Sequence, residues 1–280
     1  MANETSSDYH LYKIQKNMAI ERIEPGTVEW DAFYANHIVR YRFAKDQLQS
    51  AESGKISILD AACGVGYGSF YLTQQLNCFI TAVDRSDEAL ALANKNFKSE
   101  AIRFLKDDCH TLAAASLHGT YDAVISFETL EHLPYPEKFI DACYQNLHVG
   151  GKLIISTPNQ LVTSPDGTIN WDFHEKEYQP EELIVLLSKA GFTDVKLYGQ
   201  QLTPIGLLRS QVRAELNTIN SNPFIRLGRY IQKAFKGHSF GAVLPEQTED
   251  FEIKSYSTAE DIKRLAEKGP FVLIAVCHKK

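Results

Sequence analysis

Between Ile58 and Gly68 the chain reads Ile-Leu-Asp-Ala-Ala-Cys-Gly-Val-Gly-Tyr-Gly. Glycines at 64, 66 and 68 permit a tight turn and close backbone approach to a ligand, with the N–H groups of a following helix ahead of it. Such a loop would also suit a dinucleotide. Here, however, the third glycine follows the second by two residues rather than three, and Ser69 stands where the dinucleotide pattern needs glycine. Three acids recur at equal intervals, Asp60, Asp84 and Asp108. A carboxylate at Asp84 could take both hydroxyls of a ribose, and one at Asp108 could accept from an adenine amino group. Further on, Phe127-Glu128-Thr-Leu-Glu131-His132 sets two carboxylates and an imidazole at i, i+3 and i+4, one face if the turn is helical. That group could hold Mg2+ or another divalent cation, include a general base for a hydroxyl or amine, or simply pack.

The elements that must position these residues follow from the apolar runs. Lys55–Asp60, Cys78–Asp84, Ala101–Leu105, Tyr121–Phe127, Lys152–Ser156, Phe192–Leu197 and Phe271–Cys277 read as strands. Tyr67–Leu76, Asp87–Lys98, Glu137–Leu147 and Pro180–Lys189 read as helices, the last opened by Pro and two Glu and closed by Gly191. The alternation implies an α/β fold with a mostly parallel sheet covered on both faces, binding ligands at the carboxyl ends of its strands. The acids and glycines lie at those ends. About seventy residues separate the last two strands, too long for a bare loop, so they read as a lid insertion.

Taken together, Asp60-Ala-Ala-Cys-Gly-Val-Gly-Tyr-Gly, Val83-Asp84, Asp107-Asp108-Cys109, Tyr121-Asp-Ala-Val-Ile-Ser-Phe-Glu and Leu147-His-Val-Gly-Gly-Lys-Leu-Ile-Ile-Ser-Thr-Pro-Asn resemble the successive motifs of class I S-adenosylmethionine-dependent methyltransferases. The resemblance implies a Rossmann-like sheet of seven strands with the last antiparallel. It implies an N-terminal helical cap over 1–55, a cofactor-binding core over 56–198, a lid over 199–269 and a final core strand in 270–280. It also implies S-adenosyl-L-methionine as cofactor. Asp60, Gly64, Gly66 and Gly68 would hold the methionine moiety, Asp84 the ribose, and Asp108 with Cys109 the adenine, while Arg85, Phe127 and Tyr41 complete the expected set. Glu21-Arg22, Pro25-Gly26 and His37-Ile-Val-Arg40-Tyr41-Arg42-Phe43-Ala44 resemble the N-terminal helix of a bacterial small-molecule subgroup, akin to ubiquinone-pathway O-methyltransferases. Phe173-His174-Glu-Lys-Glu177-Tyr178 and Tyr198-Gly199-Gln200 resemble its downstream signature.

The Glu-x-x-Glu-His step also resembles the metal site of plant small-RNA 2′-O-methyltransferases, in which a downstream histidine completes the set. Here that histidine would be His174, so Glu128, Glu131, His132 and His174 are the expected metal ligands. Without metal, His132 or His174 would act as base, with Glu128 beside them. His110, His118 and His148 fall in loops or helix ends and are expected to be solvated.

Composition narrows the class. The chain has 280 residues, a formal charge of −6 and 44% apolar residues, as expected of a globular protein with a full core. The acidic balance argues for a small-molecule acceptor over nucleic acid. No secretory signal or membrane span is read, and five scattered cysteines without a CxxC pair read as reduced, buried thiols, so a cytoplasmic setting is expected. Gln201–Phe240 carries six basic residues against Glu215 alone, a net +5, and Gly241–Ile262 carries a net −5. The two halves could pair with each other, or the cations could meet an anionic acceptor. Phe224, Leu227, Ile231 and Phe235 make an apolar stripe suited to a core or homodimer face, or to a membrane surface. The expected reaction is methylation of an oxygen, less readily a nitrogen, of a small polar metabolite such as a sugar, nucleotide-sugar or natural-product intermediate. Rival readings are an RNA 2′-O-methyltransferase, a cofactor-binding protein that does not methylate, and an NAD(P) oxidoreductase.

Overall fold

The structure, a computed structural model, describes residues 23–49, 54–169, 171–221, 246–263 and 269–280. The stripe from Phe224 to Phe235 lies outside the described residues. The chain divides into two compact units, Met1–Asn36 with Leu202–Glu252, and His37–Gln201 with Ile253–Lys280.

The second unit is built on a sheet whose strands are β1 (Ile56–Ala61), β2 (Cys78–Asp84), β3 (Ile102–Lys106), β4 (Tyr121–Phe127), β5 (Leu147–Pro158), β6 (Phe192–Leu202), β7 (Phe251–Tyr256) and β8 (Val272–Lys279). Their order is β3-β2-β1-β4-β5-β8-β6-β7. Strands β1 to β5 are parallel neighbours, and β8 runs antiparallel between β5 and β6. The sheet therefore has eight strands rather than the expected seven. The addition is β7, from the segment read as a lid. It lies at the edge of the sheet, and only Phe251 of its six residues is fully buried. Central strands differ: Ile58, Leu59, Val124, Ile125, Ile274 and Ala275 are all inaccessible to solvent, so those segments read as unbroken apolar runs.

The reversal of strand order between β1 and β4 opens the crevice in which such sheets bind ligands. At that end lie Asp60 on β1, Asp84 closing β2, Phe127 closing β4 and Thr157 on β5. Register across Pro158, Val272 and Gln200 brings the end of β6 to the same rim. From His37 onward the helix Val28–Leu48 packs on this sheet: Arg40 meets Gln200 near the rim, Phe43 meets the Tyr198 ring edge-on, and the Gln47 carbonyl accepts from Lys152 nearer the start of β5. At the opposite end of β4, His148 is not merely solvated: its Nε2 lies 2.7 Å from Asp122 Oδ1, remote from the crevice.

The first unit contains the helix Pro204–Ser221 and the turn Thr248–Asp250. Arg209 Nη1 reaches Asp250 Oδ1 at 2.7 Å, and Arg213 Nη1 lies 3.7 Å from Glu246 Oε1. Both pairs join the basic stretch to the acidic one, so part of the opposed charge is spent internally. Among the described residues no helix is long and apolar enough to cross a membrane.

Candidate active site

The path after β1 turns left-handed three times in five residues, at Ala62 (φ 63°), Gly64 (56°) and Gly66 (83°). This is affordable for glycine and rare for any other side chain. Gly66 caps the helix Tyr67–Gln75, and a Cβ there would stand 2.7 Å from the Phe104 ring, whereas one at Gly64 would meet nothing within 4 Å. The loop is pinned beneath: Gly64 N–H donates to Asp84 Oδ2 at 3.0 Å, Ser86 N–H to Oδ1 at 2.9 Å, and Cys63 N–H to the Val83 carbonyl. Asp84 thus sets the loop's shape while retaining lone pairs for a further donor.

Asp60 is 1% exposed. Its Oδ2 accepts from Ser69 Oγ at 2.5 Å and from Tyr41 Oη at 3.4 Å, and its Oδ1 has no partner. Burial pushes the carboxyl up to about 7 against these two hydrogen bonds, with Asp84 adding to the rise. A buried carboxylate with an orphaned oxygen beside an open glycine loop fits the ammonium of an amino-acid moiety. Tyr41 lies over Gly68 and meets the Phe127 ring edge-on at 4.9 Å.

A Cβ at Gly68 would fall inside the Tyr41 ring. Gly68→Ala is therefore expected to expel that ring, lowering stability by about 1–3 kcal/mol and weakening cofactor binding. Adding Tyr41→Ala to Gly68→Ala should produce little further loss. Simple additivity of the two in thermal melts would disprove the packing argument.

The remaining cofactor candidates lie on the β2–β3 side. Asp107 is buried and consumed locally, accepting from Ala115 N–H and Asp108 N–H at 2.9 Å each. Asp108 is exposed, and the backbone and ring N–H groups of His110 hold its carboxyl below the usual range. Arg85 is exposed and Cys109 half-buried, its thiol pushed up to about 12 by burial.

Beyond β4 the expectation of one helical face is corrected. Glu128 takes a left-handed conformation (φ 52°), and Leu130–His132 is a single 3-10 turn. Glu128 is drawn to β5 instead, where Ser156 Oγ donates to its Oε1 at 2.7 Å and accepts its N–H. Among the described residues, the group whose ligand atoms lie within 4.8 Å of one another is Glu131, His132 and His174, without Glu128.

Glu131 is buried, its Oε2 accepting from Thr157 Oγ1 at 3.0 Å; burial first and the Glu128 charge second push its carboxyl well above the usual range. Its carbonyl accepts from Glu175 N–H and Lys176 N–H, bringing His174 alongside from over forty residues downstream. His132 Nδ1 donates to the Phe173 carbonyl at 2.9 Å, and His174 Nδ1 to Glu177 Oε1 at 3.0 Å. In the neutral form of either ring, Nε2 is therefore the nitrogen without a proton. The rings meet edge-on at 4.9 Å, with Trp171 stacked on His174. Glu177 is itself buried and gripped by the Thr163 and Ser164 hydroxyls.

Sequence alone assigns no role to Arg40, Ser69, Thr157 or Glu177. The i, i+3 spacing of His174 and Glu177 was the available signal for the last. Arg40 is buried beside Gln200 and His37.

Residues 59–155 match the family described as methyltransferase domain. A Mycolicibacterium smegmatis protein named "probable S-adenosylmethionine-dependent methyltransferase" is 31% identical over 175 residues, 61% of this chain and 63% of that protein. The ubiquinone biosynthesis O-methyltransferase of Nitrosococcus oceani is 30% identical over 165 residues, 53% of this chain and 68% of its own length. The chain spans about half to two thirds of the first curated relatives it matches. A solved S-adenosylmethionine-dependent methyltransferase from Archaeoglobus fulgidus shares the fold at 19% identity, with a TM-score of 0.52 over 85% of this chain and 94% of that one.

Proposed function

This chain belongs to the class I S-adenosylmethionine-dependent methyltransferases, and from that premise we propose that it methylates an oxygen of a small polar metabolite. When bound, the cofactor supplies a methyl group already activated on a sulfonium, whose bonding electron pair leaves with the sulfur. The protein must therefore bind the donor, exclude water, deliver an oxygen lone pair in line and remove the acceptor's proton. Asp60 with the Gly64–Gly68 loop would hold the methionyl ammonium, Asp84 the ribose, and Asp108 the adenine. Tyr41 and Phe127 would wall the reacting region.

The observation that supports O-methylation is the pair of imidazoles whose Nδ1–H groups are donated backwards, to the Phe173 carbonyl and to Glu177, while both rings gather with Glu131. His132 Nε2 lies 3.8 Å from Glu131 Oε1, too far for a hydrogen bond between them. A proton taken from an acceptor hydroxyl has a ready site at His174 Nε2, with the Glu177 carboxylate stabilising the imidazolium. Nitrogen acceptors need that base less. The −6 charge favours a metabolite over RNA, and a cytoplasmic setting is part of this reading.

A second use of the same group is favoured by its donor chemistry. Two imidazoles and a carboxylate suit a divalent transition ion such as Zn2+ or Mn2+ better than Mg2+, which prefers oxygen ligands. Such an ion would bind the acceptor oxygen and lower its pKa.

The deciding assay measures S-adenosylhomocysteine release with hydroxylated and aminated acceptors, before and after dialysis against EDTA. Release with hydroxylated acceptors is expected. Cofactor binding without release from any acceptor would favour a protein that does not methylate, and activity unchanged by EDTA would remove the ion.

A further inference from the structure

The helix that carries Tyr41 ends on a cation supplied by the sheet. Gln47 lies in the last turn of Val28–Leu48, and its carbonyl is one of the four that no N–H inside the helix can satisfy. Lys152 Nζ donates to it at 2.6 Å. The lysine follows Gly150 and Gly151 on β5, in register with Ala123 and His278. Burial first, and the Lys196 charge second, lower its pKa, so the ammonium is partly desolvated. Among the described residues no carboxylate pairs with it. A cation at a helix C-terminus meets both an open carbonyl and the negative end of the helix dipole.

That bond is one of three along a single helix face. Arg40 to Gln200, Phe43 to the Tyr198 ring and Gln47 to Lys152 follow at spacings of three and four residues and attach the helix to β6 and β5. Tyr41 leaves the helix elsewhere. Its ring lies on Gly68 and against Tyr67 and Phe127. Its hydroxyl donates to Asp60 over 3.4 Å, a long bond, so the placement of the ring over the glycine loop is inherited from the helix. The anchor at Gln47 is six residues away, about 9 Å along the axis, a distance over which a helix is stiff.

We propose that Lys152 is a positioning residue for the methyl donor: by anchoring the C-terminal end of this helix it keeps Tyr41 closed over the bound cofactor and sets how long the cofactor stays. This rests on the reading that Asp60 and the Gly64–Gly68 loop hold the methionine moiety beneath Tyr41. The ammonium acts only through the helix. Arginine at 152 can make the same bond, whereas methionine fills the space of the stem and donates nothing.

The test uses the full chain and follows labelled S-adenosylhomocysteine leaving its complex during a chase with excess unlabelled compound. Lys152→Met should speed release about 10-fold, and Lys152→Arg by less than about threefold. Tyr41→Ala should also speed release. Adding Lys152→Met to it should then change the rate by less than about twofold, because the anchor no longer holds a ring over the cofactor. Equal acceleration by Lys152→Met with and without Tyr41 would make the lysine a general stabiliser and overturn the proposal. Unchanged release from Lys152→Met, or an equal loss in Lys152→Arg, would overturn it too. Should Lys152→Met fail to fold, hydrogen exchange of the ligand-free wild type decides: residues 45–48 should exchange as slowly as the middle of the helix, and ordinary end-fraying there would remove the anchor. Release from Tyr41→Ala at the wild-type rate would instead strike the placement of the cofactor beneath Tyr41, and the proposal with it.

Discussion

Replacing Asp60 with asparagine is expected to raise the melting temperature of the ligand-free protein at pH 8 while weakening S-adenosylhomocysteine binding about 100-fold. The two effects have one cause. Asp60 is buried with an unpartnered Oδ1, and its carboxyl is pushed up to about 7. Between its ordinary value and that figure, the folded state holds a proton that the unfolded state has released. Stability therefore falls as pH rises through that window, by an amount on the order of 4 kcal/mol at about 1.4 kcal/mol per unit. Asparagine keeps an oxygen for Ser69 and Tyr41 without the charge. The gain in melting temperature should accordingly shrink steadily from about pH 7 towards pH 4. Binding runs the other way, because an ammonium facing asparagine loses a charge-assisted hydrogen bond. In the wild type, a cation at Oδ1 would draw the carboxyl pKa down, so binding should release a proton near pH 6 to 7 and tighten up to about pH 8. Calorimetry in buffers of different ionisation enthalpy measures that proton. An Asp60→Asn protein that binds normally, or that melts lower at pH 8, would show that this carboxylate is structural.

His174→Ala should lower kcat by about 10² to 10⁴, the range for loss of a positioned base, with little change in S-adenosylhomocysteine affinity. Glu177→Gln, one residue further from the chemistry, should lower kcat by about 10- to 100-fold with KM nearly unchanged. The carboxylate does two things that the amide does less well. It fixes the proton on His174 Nδ1, leaving Nε2 as the acceptor, and it stabilises the imidazolium once formed. Nitrogen-15 spectra of the imidazole should show one tautomer in the wild type and a mixture in Glu177→Gln, a readout that loss of packing alone would not move. Metal analysis separates the two uses of the site. An ion bound in equimolar amount by wild type and absent from His174→Ala would identify a metal centre, whereas a metal-free, EDTA-insensitive enzyme with the same kcat losses would identify a base. Full activity in His174→Ala would remove both.

The glycine loop and its acids, proposed to hold the cofactor, could be read from the sequence because their structure is local. Asp60, the three glycines and Ser69 fall within ten residues, on a strand, a turn and the first helical turn, each with its own sequence signature. The same holds for Asp84 at the end of an apolar run. The residues proposed to face the acceptor could be read as types but not as an arrangement. The spacing of Glu128, Glu131 and His132 suggested a helical face, yet the turn is 3-10 and Ser156 on the neighbouring strand takes Glu128 away. Spacing within one segment cannot report a competitor on another strand. The edge strand Phe251–Tyr256 was missed for a related reason: a short, half-covered strand is marked by the neighbour that covers it.

The amino-acid sequence by itself determined the alternation of strands and helices, the glycine loop with its acids, and so the family and its cofactor. Periodicity, turn chemistry and capping act over a few residues and leave their record there. Only the tertiary structure decided which groups gather around Glu131. It brought His174 and Glu177 to Glu131 through backbone bonds across more than forty residues, and it buried Arg40 against Gln200 and His37. Burial and charge pairing depend on what the whole fold places nearby, and that sum is written in no single segment.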